Sequence, residues 1–174
     1  MTSPPLRSRA PWIVAAVFGV IAGILAALFV ALTWGGLAHK PDANQAFTSS
    51  EQSAVDAAKQ FVINQFTYSR ASFDKDFARA LGGATGGVKS DLSKNEAQLK
   101  ALMTAGGFDL EGSVTDFGLS SSDGKGNVDV LVSAIGYHVT SAGRVPATTA
   151  RFKVTMTKTD GKWYAGNLTT VGLV

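Results

Sequence analysis

The chain has 174 residues, 45% of them hydrophobic and 17% charged, which suits one modest domain with an added segment. It has no cysteine, so disulfides, thiolate metal sites and a lipid-modified cysteine tether are excluded. The net charge of +3 is carried by scattered basic residues without interleaved aromatics, which argues against a nucleic-acid-binding surface.

Residues 1–10 form a short basic tail containing Arg7 and Arg9. No Asp, Glu, Lys or Arg follows Arg9 until after His39. The stretch from Trp12 to Trp34 reaches about 33 Å at ~1.5 Å per residue, enough for a hydrocarbon core of about 30 Å. It has no polar face, and an indole stands at each end, where the membrane meets water. A transmembrane helix is therefore expected over 11–38. A cleaved signal peptide ending at Gly36-Leu37-Ala38 is the rival reading, but the apolar run exceeds the roughly 7–15 residues of a signal core. Arg7 and Arg9 bias the N-terminus to the cytoplasm and the bulk of the chain to the outside of the cell membrane. Of the 16 Lys/Arg, the 14 beyond those two face 13 Asp/Glu, so the exported part is nearly neutral.

Within this segment Ala15, Gly19, Gly23, Ala27 and Ala31 recur at every fourth position. Small residues at that spacing let two helix backbones approach closely, so the stripe is a candidate packing face for another membrane helix. Gly and Ala are also frequent in membrane helices generally. The pattern leaves open whether the partner is a second copy or a different protein.

Residues 39–48 read as a polar linker. A helix is expected from near Ser49, because Thr48 with Glu51 and Ser49 with Gln52 both match a capping box. Val55, Ala58, Val62 and Phe66 recur at helical spacing, with Phe61 beside them. A shorter helix fits "FDKDFARAL", and "GGATGG" breaks it as a flexible turn. A further helix fits "VKSDLSKNEAQLKALM", with Val88, Leu92, Leu99, Leu102 and Met103 as its apolar face, ended by "AGG".

After Gly107 the period becomes alternating. Strands are expected within "DLEGSVTDFGLSS", "VDVLVSAIGYHVT", "TARFKVTMTK" and "KWYAGNLTTVGLV", separated by "SSDGKGN", where Asp123-Gly124 suits a tight hairpin, by "SAGRVP", and by the hairpin turn at Asp160-Gly161. Val128, Val130, Val132 and Ala134 alternate against Asp129, Leu131, Ser133, Ile135 and Tyr137. Gly112, Gly118, Gly136 and Gly166 fall inside strands, where glycine marks bulges or bends. Helices first, then an antiparallel meander, make one α+β domain over 49–174, with helices on one face of a sheet.

Catalytic signals are sparse. "GGATGGVKS" misses the phosphate-loop pattern because Val88 separates Gly87 from Lys89, and the segment follows a helix. The two histidines, His39 and His138, are not at metal-ligand spacing. His138 as a general base, and Asp129 and Asp116 facing a cavity, are the acid–base candidates, and no motif surrounds them. No catalytic residue, cofactor or metal is assigned. Phe61, Phe66, Phe77, Tyr137, Phe152 and Trp163 are candidates to line an apolar pocket, and equally to form ordinary core.

"YSRASFDKDFARALGGATGGVKSDL" and the closing "TKTDGKWYAGNLTTV" resemble the Mce-associated membrane proteins of actinobacteria, which accompany the mammalian-cell-entry (Mce) lipid importers of mycobacteria and their relatives. The carrying features are the short helix Phe73 to Leu81, the Thr85-Gly86 turn, and Asp160-Gly161 with Trp163 before the last strand. The resemblance implies a fold similar to nuclear transport factor 2 (NTF2), three helices on a curved sheet of four strands enclosing a cone-shaped space. It also implies a non-enzymatic accessory subunit that assembles or stabilises a fatty-acid or sterol importer. Its partners would be the membrane, the permease and substrate-binding subunits, and a lipid. The alternatives are a membrane-tethered lipid-binding module, a bitopic scaffold of a conjugation or secretion machine, and an enzyme using Asp129 or His138.

Overall fold

The computed structural model describes residues 47–173. The expected basic tail, the transmembrane helix over 11–38 with its stripe of Ala15, Gly19, Gly23, Ala27 and Ala31, and most of the linker lie outside the described residues. Among the described residues, no helix is long and apolar enough to cross a membrane.

Helices α1 (Ser49–Gln65), α2 (Phe73–Gly82) and α3 (Gly86–Gly106) come first. Strands β1 (Asp109–Ser122), β2 (Asn127–Thr140), β3 (Gly143–Thr159) and β4 (Lys162–Leu173) follow. The strands form one antiparallel sheet in the order β1-β2-β3-β4, a simple meander. Bulges between Val114 and Asp116, at Gly136/Tyr137 and between Thr155 and Met156 bend it, because an extra residue on one strand increases local twist.

The α1 helix starts where the capping box requires. Thr48 Oγ1 accepts the Glu51 amide at 3.2 Å, and the Glu51 carboxylate accepts the Thr48 amide at 2.9 Å. Its stripe of Ala54, Val55, Ala58, Phe61 and Val62 is buried on Val128, Val130, Val132, Val154 and Met156 of the sheet. Burying each of the larger apolar side chains contributes roughly 1.5–3 kcal/mol. Ala54 and Ala58 keep the helix close to the strands.

A second cluster sits at the other end. Tyr68, Phe73 and Phe77 pack with ring centroids 5.7–6.3 Å apart, and Met103 and Phe108 close over them. Three local details differ from the sequence reading. The "GGATGG" segment is a pinned connection, not a free turn: the Thr85 amide donates to the Ala165 carbonyl at 3.0 Å, and the Ala165 amide donates to the Gly83 carbonyl at 2.8 Å. "SAGRVP" is not all turn, since β3 already begins at Gly143. Pro146 is accommodated in β3 at the bulge opposite Tyr137, where a missing amide donor is tolerated. The Asp123-Gly124 turn is a longer loop than a two-residue hairpin: Asp123 Oδ1 accepts the amides of Lys125 at 2.7 Å and Asn127 at 2.9 Å. These bonds hold the Asp123 carboxyl at about 2.

Candidate functional site

Helix α3 is anchored near both ends, and between them part of its apolar face borders a space above the sheet. Its start is fixed to β4 through Thr85 and Ala165; near its end Met103 is buried with Tyr68, Phe73 and Phe77, and Gly107, with a left-handed backbone (φ 66°), caps it by donating its amide to the Met103 carbonyl at 3.0 Å. Val88 and Met103, near the two ends, are its buried residues. Leu92 and Leu99, between them, are only half-buried: each packs against the core on one side and borders an open space on the other. That space is a cavity of about 440 Å³.

The sheet supplies the opposite wall through inward-facing positions of its strands: Leu110 on β1, Gly136 and His138 on β2, Thr148 and Phe152 on β3, Leu168 on β4. The end of α1 and the loop after it supply Gln65, Phe66 and Tyr68, and α2 supplies Phe77. Phe66 lies over the neighbouring glycines Gly112 and Gly136, where a Cβ would stand 2.6 Å from its Cβ and 2.9 Å from its Cδ1 respectively. These two glycines therefore serve a close approach of the α1 terminus to the sheet, and set one wall of the cavity.

Of the aromatic candidates, Phe66, Phe77 and Phe152 stand on the cavity wall. Phe61 is buried between α1 and the sheet, and Trp163 packs against that same core. Tyr137 is on the other face of the sheet, with the Arg144 guanidinium 3.6 Å from its ring centroid and Arg144 paired to Glu111 at 3.1 Å.

The acid–base candidates separate in the same way. Asp129 does not face the cavity: it lies on the outer face, where its carboxylate accepts from the Thr155 hydroxyl at 2.7 Å and the Ser121 hydroxyl at 3.1 Å. Asp116 is exposed on the edge strand beside a bulge. Strand alternation decides Asp129, which has the parity of the outward residues of β2, whereas Asp116 has the parity of the inward Val114 and is turned outward, opposite Ser133, by the bulge between them. His138 does reach the cavity wall. Its ring stacks on Phe108 with centroids 4.0 Å apart, and burial holds its pKa below the usual 6.5. Its Nε2 is buried without a hydrogen-bond partner, as is Nε2 of Gln65 on the same wall. Gln65 was not a sequence candidate; as the last residue of a polar helix end it carries no motif. Burial also pushes the Tyr68 phenol up, so it stays neutral. At the rim, Asp91 and Lys94 pair at 3.2 Å. Among the described residues, no group of three or more His, Asp or Glu stands together as a metal site.

The arrangement can enclose an apolar body and offer it a few uncharged hydrogen-bonding groups. Helices over a bent four-stranded meander define an NTF2-like fold. Residues 13–171 match the family described as "Uncharacterized protein Rv1363c/MT1408-like", and the chain belongs to that family. No curated protein matches the sequence. Among solved structures, the chain is similar to the periplasmic domain of DotI, at 11% identity and a TM-score of 0.58, covering 72% of this chain and 98% of that one. It is similar to an IcmL-like type IV secretion system protein from Legionella pneumophila, at 9% identity and a TM-score of 0.58, covering 69% and 90%. It is also similar to a putative aromatic ring hydroxylase from Novosphingobium aromaticivorans, at 14% identity and a TM-score of 0.52, covering 75% and 95%. At these identities the likeness is one of fold.

Proposed function

We propose that the chain is a non-enzymatic, membrane-anchored accessory subunit that assembles or stabilises a larger complex in the cell envelope. The complex is an Mce-type lipid importer. The stripe from Ala15 to Ala31 docks on a permease helix, and the domain beyond the bilayer meets the substrate-binding subunits. The observation that carries this reading is the coupling of one apolar segment of membrane-spanning length to one downstream domain in which the acidic candidates point away from the cavity. A base without an acidic partner or nucleophile beside it is poorly equipped for acid–base chemistry.

A second reading, a bitopic scaffold of a conjugation or secretion machine, is favoured by the shared fold of the DotI and IcmL-like domains. One experiment separates the two. The full chain, tagged and expressed in its own host, is purified from native membranes in a gentle detergent, and its companions are identified by mass spectrometry. Co-purification of Mce permease and substrate-binding subunits, lowered at least fivefold by the double change Gly19→Leu and Gly23→Leu, is the expected result. Recovery of secretion-machine components instead favours the scaffold. A chain that purifies without companions overturns both readings.

A further inference from the structure

We propose that the cavity beneath α3 binds one apolar molecule carrying a neutral hydroxyl or carbonyl oxygen, with Gln65 and His138 as its polar anchors. Three observations carry this. The first is the span of α3, fixed at Thr85 and by the buried Met103, between which Leu92 and Leu99 leave part of their surface on an open space. The part of an apolar side chain that borders a space of about 440 Å³ forgoes contacts that packing would give it. The space equals about fifteen waters at roughly 30 Å³ each, room for a body with on the order of twenty non-hydrogen atoms, and its open mouth lets the tail of a larger one lie outside.

The second observation is the pair of buried nitrogens without partners, Gln65 Nε2 and His138 Nε2, on an otherwise largely apolar wall. Buried polar atoms are almost always paired. An amide N–H donates to either kind of oxygen. A neutral imidazole nitrogen donates to a carbonyl or accepts from a hydroxyl, according to its tautomer.

The third is charge. The ionisable wall residues Asp91 and Lys94 satisfy each other at the rim. His138 and Tyr68 are held neutral by burial. Among the described residues, no unpaired cation of the wall is left to receive a carboxylate head, and an unpaired buried charge is strongly disfavoured. A neutral oxygen on an apolar body fits, whether the body is a rigid ring system or a flexible chain.

The test uses the full chain in its own membranes and three photoactivatable diazirine-alkyne probes: a sterol, a long-chain fatty alcohol and the matching fatty acid. After irradiation the labelled peptides are mapped by mass spectrometry. Labelling by the sterol or the alcohol should concentrate on the cavity-facing residues of α3 and β2, and the stronger of the two identifies the body. Leu99→Trp, which fills the space, should remove it, and His138→Phe and Gln65→Leu should each lower it at least fivefold. His138→Phe keeps a ring against Phe108, and Gln65→Leu, at a helix end, gives an independent readout should that variant misfold. Label spread evenly over the surface, label unchanged by Leu99→Trp, or stronger labelling by the fatty acid overturns the proposal. The readout is on the chain itself, so the fate of the assembly reading does not affect it.

Discussion

His138 lies nearly flat on Phe108, the ring planes 22° apart and the centroids 4.0 Å apart. The contact buries the imidazole on the cavity wall and disfavours its charged form, so its folded-state pKa lies below 6.5. Above that value the group is neutral whether the chain is folded or not. As pH falls below it, the unfolded chain takes up the proton first, so the stability associated with neutral burial is lost as pH falls toward the folded pKa. Denaturant midpoints measured at about pH 7.5 and about pH 5 should show this loss in the wild type and a smaller one in His138→Phe. Equal losses in both proteins would show that burial of this ring does not govern the slope.

Gly112 and Gly136 are neighbours across β1 and β2 beneath the same side chain, yet they should not respond equally. A Cβ at Gly112 meets Phe66 Cβ at 2.6 Å and the Ile63 carbonyl at 3.0 Å, atoms that cannot swing away. A Cβ at Gly136 meets a ring edge at 2.9 Å and the Thr148 methyl at 3.0 Å, which can shift. Gly112→Ala should cost about 1–3 kcal/mol, with Gly136→Ala at the lower end of that range. Thermal unfolding of the two variants checks the order.

Asp76 is buried and joins the α1 end to α2. Burial alone would raise its pKa, but bonds from the Ser69 amide at 2.9 Å, the Ser72 hydroxyl at 2.8 Å and Arg79 at 2.7 Å outweigh that and lower it. Arg79 in turn donates to the Thr67 carbonyl at 3.0 Å and Asn64 Oδ1 at 3.2 Å. Asp76→Asn should destabilise by about 2 kcal/mol at neutral pH. The wild-type advantage is complete above pH 3.8, the unfolded value, and should shrink as pH falls through the lower folded value. Urea titrations of both proteins from neutral to acid pH measure it, and a constant gap would contradict the account.

Thr48 alone supplies the side-chain acceptor for the first turn of α1. Thr48→Ala should cost about 1 kcal/mol, and Thr48→Ser should recover most of it, because the hydroxyl rather than the methyl makes the bond. Circular dichroism melts of the two variants decide this.

Much of the local structure is written in the chain. The start of α1 follows from a Thr and a Glu three residues apart, and the Asp160-Gly161 hairpin from two residues that accept positive φ, here 50° and 78°. The inward set Val128, Val130, Val132 and Ala134 follows from a period of two, which also sent Asp129 outward. These features depend on residues within one turn or one strand, so neighbouring letters are enough to show them. The long apolar run with its small-residue stripe is likewise a property of sequence alone.

The tertiary structure decided what no local window contains. That "GGATGG" is clamped to Ala165, a residue about eighty positions away, depends on where β4 arrives. That Leu92 and Leu99 stay half-buried over a cavity, with Val88 buried on its wall and Met103 packed in the second cluster, depends on where α3 lies over the bent sheet, although all four lie on one helical stripe. Gln65 and His138 come to one wall only because the end of α1 crosses the bend of β2, and a pairing made by chain topology leaves no mark at fixed spacing in the sequence.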